Sequence, residues 1–82
     1  MVKDFTEQLH TYQNGNLRAE VYSSEHGYGC RFFKDNLWVT DEIYKGKSEQ
    51  YAEDAAENYV MGVKELWREV QDPNKLEEKY II

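Results

Sequence analysis

Glu49, Glu53 and Glu57 stand four residues apart, so a helix aligns their carboxylates along one side. Such an acid stripe has two chemical uses: ligating a metal, or imitating the phosphates of a nucleic acid. The plainer use is to compensate the positive end of a helix dipole and then continue as a solvated face. A paired-metal site on helices wants Glu-x-x-His spacing, and neither His10 nor His26 supplies it. The plain reading is favoured, with no metal and no cofactor expected.

Nucleophilic chemistry is also poorly supplied. One cysteine and two histidines assemble no zinc-type Cys/His set and no Ser-His-Asp or Cys-His constellation. Cys30 reads as a small core residue in a reducing compartment, and its being alone rules out an intrachain disulfide. His26 lies in the turn-like "SEHGYG", and His10 is isolated. No phosphate-cradling glycine motif follows a strand. These residues argue against an enzyme, and no small-molecule substrate is evident. The remaining candidates are aromatics and arginines: Tyr22, Phe33 and Trp38 with Arg18 and Arg31.

The elements that position them follow from punctuation and period. "NGN" (Asn14 to Asn16), "SEHGYG" (Ser24 to Gly29) and "KDN" (Lys34 to Asn36) separate runs rich in β-branched and aromatic residues, the signature of successive hairpins. Alternation along those runs gives two faces. Leu17, Ala19, Val21, Cys30, Phe32, Val39 and Ile43 make a core face. Arg18, Glu20, Tyr22, Arg31, Phe33, Trp38 and Thr40 make the other. A two-residue turn at Asp35-Asn36 sets Phe32 across from Val39 and Phe33 across from Trp38. Asp41 falls on the core side by parity, which predicts a bulge or an edge position near it.

The segment before Asn14 has two readings. Phe5, Leu9 and Tyr12 fall at helical spacing, and Asp4 with Glu7 resembles a capping box. Asn14-Gly15 is a hairpin signal, and Thr11 and Tyr12 prefer strand, which favours a first strand. After Gly46 the period lengthens. Ala52, Ala55, Ala56, Tyr59, Val60, Val63, Trp67 and Val70 form a helical stripe behind the N-cap Ser48. The helix is predicted over about Ser48–Val70, ending before Pro73, with Gly62 lowering its propensity. The apolar end of the tail, Tyr80 to Ile82, is suited to docking on the body or on a neighbour.

The expected fold class is α+β: an antiparallel meander of three or four strands with one long C-terminal helix on one face. The 82 residues suit a single domain, with residues 1–8 and 73–82 tail-like. One helix covers one face, so the Tyr22, Phe33 and Trp38 face is expected to stay open. Sixteen acids against ten bases give a net charge of −6, which makes nucleic acid an unlikely partner. There is no apolar run of membrane-spanning length and no signal-peptide core in "MVKDFTEQ", so a soluble, cytoplasmic protein is expected.

The run "GKSEQYAEDAAENYV" (Gly46 to Val60) resembles the last helix of double-stranded RNA-binding domains. That family carries a Gly-x-Ser-Lys-Lys-x-Ala-Lys-x-x-Ala-Ala pattern there, and Gly46, Ser48, Ala52, Ala55 and Ala56 stand at matching positions. The resemblance implies an alternative α-β-β-β-α order. The family's lysines grip phosphates, whereas Glu49, Gln50 and Glu53 occupy those positions here, so it implies topology without RNA binding. The same run, with hairpins before it, is similar to small uncharacterised proteins of marine phages and bacteria. That likeness implies a host cytoplasm if the chain is phage-encoded, and it carries no function.

The functional expectation is a small non-enzymatic interaction module that self-associates, as a homodimer, or binds another protein through Tyr22, Arg31, Phe33, Trp38 and Arg18. Aromatics and arginine are enriched at protein interfaces. The alternatives are a nucleic-acid module stacking bases on the same rings, and an acidic nucleic-acid mimic.

Overall fold

In the computed structural model, residues 5–64 and Leu66 are described. Asp35 and Asn36 both adopt positive φ, 55° and 65°, as a two-residue hairpin turn matched to strand twist requires. This turn and its two upstream counterparts join β1 (Phe5–Asn14), β2 (Leu17–Ser24), β3 (Gly27–Lys34) and β4 (Leu37–Tyr44). The strands form one antiparallel sheet in the order β1-β2-β3-β4, and α1 (Glu49–Val60) packs on one side. The α+β meander is therefore the fold. Phe5–Asn14 is a strand, so the helix-first order does not hold.

The helical spacing of Leu9 and Tyr12 has a structural cause. Register shifts between Phe5 and Glu7 and between Gln8 and His10 insert extra residues into β1. Leu9 and Tyr12 both pack on the core, although their separation is odd. The bulge between Gln8 and His10 thus imitates one helical step, whereas Phe5 turns to the opposite face against Tyr22.

Ser48 caps α1, its hydroxyl accepting from the Tyr51 amide. The helix stops at Val60, ten residues short of the expected Val70. Gly62 is the reason. It takes φ +80°, its amide donates to the Tyr59 carbonyl at 2.9 Å, and the Val63 amide donates to Asn58 at 2.9 Å. This paired pattern closes a helix at a left-handed residue, where glycine carries no Cβ penalty. Val63, expected on the buried stripe, is 70% exposed, and Leu66 is buried instead. Trp67, Val70 and the tail lie outside the described residues.

Ala52, Ala55 and Ala56 let α1 approach the sheet closely, against Ala19, Val21, Cys30 and Phe32. Tyr59 meets Phe32 edge-to-face and donates its hydroxyl to the Phe33 carbonyl at 3.1 Å. Full burial of a side chain such as Phe32 contributes about 2 kcal/mol. Among the described residues, no helix is long and apolar enough to cross a membrane.

One register shift reassigns the faces. Phe33 pairs with Trp38 as expected, but Phe32 pairs with Thr40 and not with Val39. Val39 is the extra residue of a bulge, and every β4 position beyond it changes side. Thr40, Glu42 and Tyr44 face the helix, and Asp41 and Ile43 join the far face. The expected places of Thr40 and Ile43 are therefore exchanged.

Candidate functional site

The five candidate residues share the far face of the sheet. Arg18, Phe33 and Trp38 are consecutive partners in one row across β2, β3 and β4. Glu20, Arg31 and Asp41 form the next row, and Tyr22, Gly29 and Ile43 the third. This face is not bare, because its own residues cover much of it. The Arg18 guanidinium lies 4.0 Å from the Phe33 ring centre, and Phe33 is only 9% exposed. Phe5 stacks on Tyr22 with centroids 4.9 Å apart and planes 6° from parallel. The Arg31 guanidinium lies over both rings, 5.2 Å from Phe5 and 5.0 Å from Tyr22.

Gly29 makes the Phe5 seat. A Cβ there would strike the Glu42 carbonyl and come within 2.9 Å of the Phe5 ring. Trp38 is the most exposed of the five candidates, at 37%.

The arginines of this face are engaged with acids. Arg31 Nε and an Nη donate to the two oxygens of Asp41, at 3.0 and 3.3 Å, in a bidentate fork. Trp38 Nε1 donates to the same carboxylate at 2.9 Å. Burial pulls Arg31 down, and the hydrogen bonds and charge of Asp41 more than offset it, leaving the guanidinium above its ordinary value. Arg18 Nε stands 3.6 Å from Glu20, which also accepts from the Tyr22 hydroxyl at 2.8 Å. Burial, then this hydrogen bond, pushes the Tyr22 phenol up. The cations are thus neutralised within the face.

The helix side carries a second buried acid. Glu42, fully buried, accepts from Tyr44 Oη at 2.6 Å and from Lys64 Nζ at 2.9 Å. Cys30 lies nearby, donating to the Ala52 carbonyl, and burial pushes its thiol up. A thiol held protonated in a core is a weak nucleophile. A groove of 420 Å³ runs beside these groups, lined by Tyr44, Tyr51, Asp54, Ala55, Asn58, Val63 and Lys64. Asp41 and Glu42 do not stand out in the sequence as site residues. The available signal was the parity conflict at Asp41, which the bulge at Val39 resolves.

A third cluster joins β1 to the start of α1. His10 Nδ1 lies 2.9 Å from Glu53 and 4.0 Å from Glu49. The Tyr12 hydroxyl donates to Glu53 Oε1 at 2.8 Å. That hydrogen bond, with burial, pushes the Tyr12 phenol up to about 12. Glu49 is pushed up by its hydrogen bond with Glu53, while Glu53 is pulled down by that bond and by Tyr12. Helix spacing predicted the alignment of Glu49 and Glu53. No local signal placed His10 beside them, because that depends on the β1 register and on where α1 lies.

Comparison of the chain with family models, curated proteins and solved structures gives no match.

Proposed function

We propose that the protein is a small non-enzymatic interaction module that self-associates through the far face of its sheet. The observation that carries this reading is the Arg18–Phe33–Trp38 row. A guanidinium stacked on a buried ring stands beside a part-exposed indole. Such aromatic and arginine anchors, held rigid before contact, lose little side-chain entropy on binding. The neighbouring Arg31–Asp41 and Arg18–Glu20 pairs leave the face close to neutral, so two copies meet without strong repulsion despite the acidic chain. A domain of this size buries a limited share of its surface alone, and association adds to it.

Nucleic-acid binding is the weaker reading, because Arg31 is forked onto Asp41 and Arg18 lies beside Glu20 on the same face. The acidic-mimic reading ranks last, since a net charge of −6 is mild for it. Sedimentation of the wild type beside Trp38→Ala tests the proposal. Concentration-dependent dimerisation that the substitution weakens supports it. A wild type that stays monomeric at high concentration, or that binds oligonucleotides with a steep salt dependence lost in Arg31→Ala, overturns it.

A further inference from the structure

We propose that His10, Glu49 and Glu53 bind one divalent transition-metal ion of the zinc class, clasped between β1 and α1. The reading is independent of the sheet face, which lies on the other side of the molecule. Its basis is a mixed donor set supplied by two elements. The imidazole nitrogen of His10 and one carboxylate oxygen from each glutamate all lie within 4.8 Å of one another.

Zinc held at its usual distances by nitrogen and oxygen in a tetrahedron sets its ligand atoms about 3.4 Å apart. The His10–Glu53 distance of 2.9 Å and the His10–Glu49 distance of 4.0 Å bracket that value. Small side-chain rotations therefore bring three ligands to one point. The glutamates come from successive turns of α1. The histidine comes from the strand, on the helix side because it pairs with Val21 in the unshifted register that also pairs Tyr12 with Ala19.

The support around the donors also fits. Tyr12 Oη donates to Glu53 Oε1 at 2.8 Å and fixes the orientation of that carboxylate, as outer partners of metal ligands do. Imidazole with carboxylates suits zinc, cobalt, nickel or copper, while calcium and magnesium prefer oxygen alone. The side chains of His10 and Glu49 are 53% and 40% exposed, so an ion enters directly and keeps at least one position for water. Three protein ligands with an open position are the arrangement of a reactive or exchangeable site, not of a closed structural one.

The competing arrangement is an ion pair between a protonated His10 and Glu53, with no metal. Calorimetric titration of the full chain, without an affinity tag, separates the two. Zinc chloride in a non-chelating buffer near neutral pH should bind once per chain. His10→Ala and Glu53→Gln should abolish that binding with circular dichroism unchanged, and His26→Ala should leave it intact. Tyr12→Phe should weaken it about tenfold. Cobalt should give visible absorption bands that His10→Ala removes. Three results overturn the proposal: no zinc binding up to millimolar concentration, an isotherm unchanged in His10→Ala, or calcium binding as tightly as zinc. The last two would mark an acidic surface that attracts cations without a site.

Discussion

Asp41 and Glu42 are neighbours on one strand, both are buried, and among the described residues each accepts from a cation and an aromatic donor. Asp41, on the far face, holds Arg31 and the Trp38 indole. Glu42, on the helix side, holds Lys64 and the Tyr44 hydroxyl. Their surroundings differ. Glu42 sits in the core between sheet and helix, and its cation comes from the segment that follows α1. Asp41 sits among side chains of the sheet itself, next to the most exposed of the candidate aromatics. A strand alternates, so adjacent acids serve opposite faces. The helix-side acid ties the chain after the helix to the core. The far-face acid neutralises and orients an arginine beside a surface suited to contact.

Breaking the helix-side pair should cost most. Removing one partner of a buried ion pair leaves an uncompensated charge, so Glu42→Ala should lower unfolding stability in urea by between about 3 and 5 kcal/mol. Combining Glu42→Leu with Lys64→Met should recover most of that, because a well-packed apolar pair replaces a buried ionic one at little cost. Gly29→Ala probes the far face by shape. Its Cβ meets the Glu42 carbonyl and the Phe5 ring, and a loss of about 3 kcal/mol is expected, the upper end for overpacking. If alanine is accepted without loss, Phe5 is not seated where the stacking places it.

Asp41→Ala should cost about 2 kcal/mol, the range for hydrogen bonds to a charged group. Arg31 keeps its stacking on Phe5 and Tyr22, so the loss is smaller than for Glu42. A larger loss for Asp41 than for Glu42 would reverse the assignment of the two faces. The smallest effect belongs to Tyr12, far from both acids. Its phenol is raised in the folded state from 10.0 to about 12, so its contribution is complete below pH 10. That contribution is lost as pH rises through the folded value, since the unfolded chain ionises first. Chemical denaturation across this range should show a shallower alkaline decline in Tyr12→Phe. Some decline should persist, because Tyr22 and Tyr44 are also raised.

Much of the fold was legible because its signals are local. Asp35-Asn36 announced the tight turn, Ser48 the helix start, and alternation the shared face of Arg18, Tyr22, Arg31, Phe33 and Trp38. The failures have one physical origin. A bulge adds one residue without a compositional mark, and Val39 is as β-branched as any strand residue. The bulge was expected near Asp41, but its position decides the side of every later residue, and so Thr40 and Ile43 were exchanged and Glu42 was not read as a core acid. Gly62 was visible only as a poor helix former. Its role as a terminator depends on backbone hydrogen bonds that propensity does not encode. The meeting of His10 with Glu49 and Glu53 lies further out of reach, since it combines strand register and helix placement.

Nuclear magnetic resonance of labelled protein over a concentration series tests the division between the two faces most directly. The account predicts that rising concentration shifts the Trp38 indole and the amides around Arg18, Tyr22, Arg31 and Phe33, while those of Ala52, Ala55 and Ala56 stay fixed. Shifts centred on α1, or none at any concentration, would contradict it.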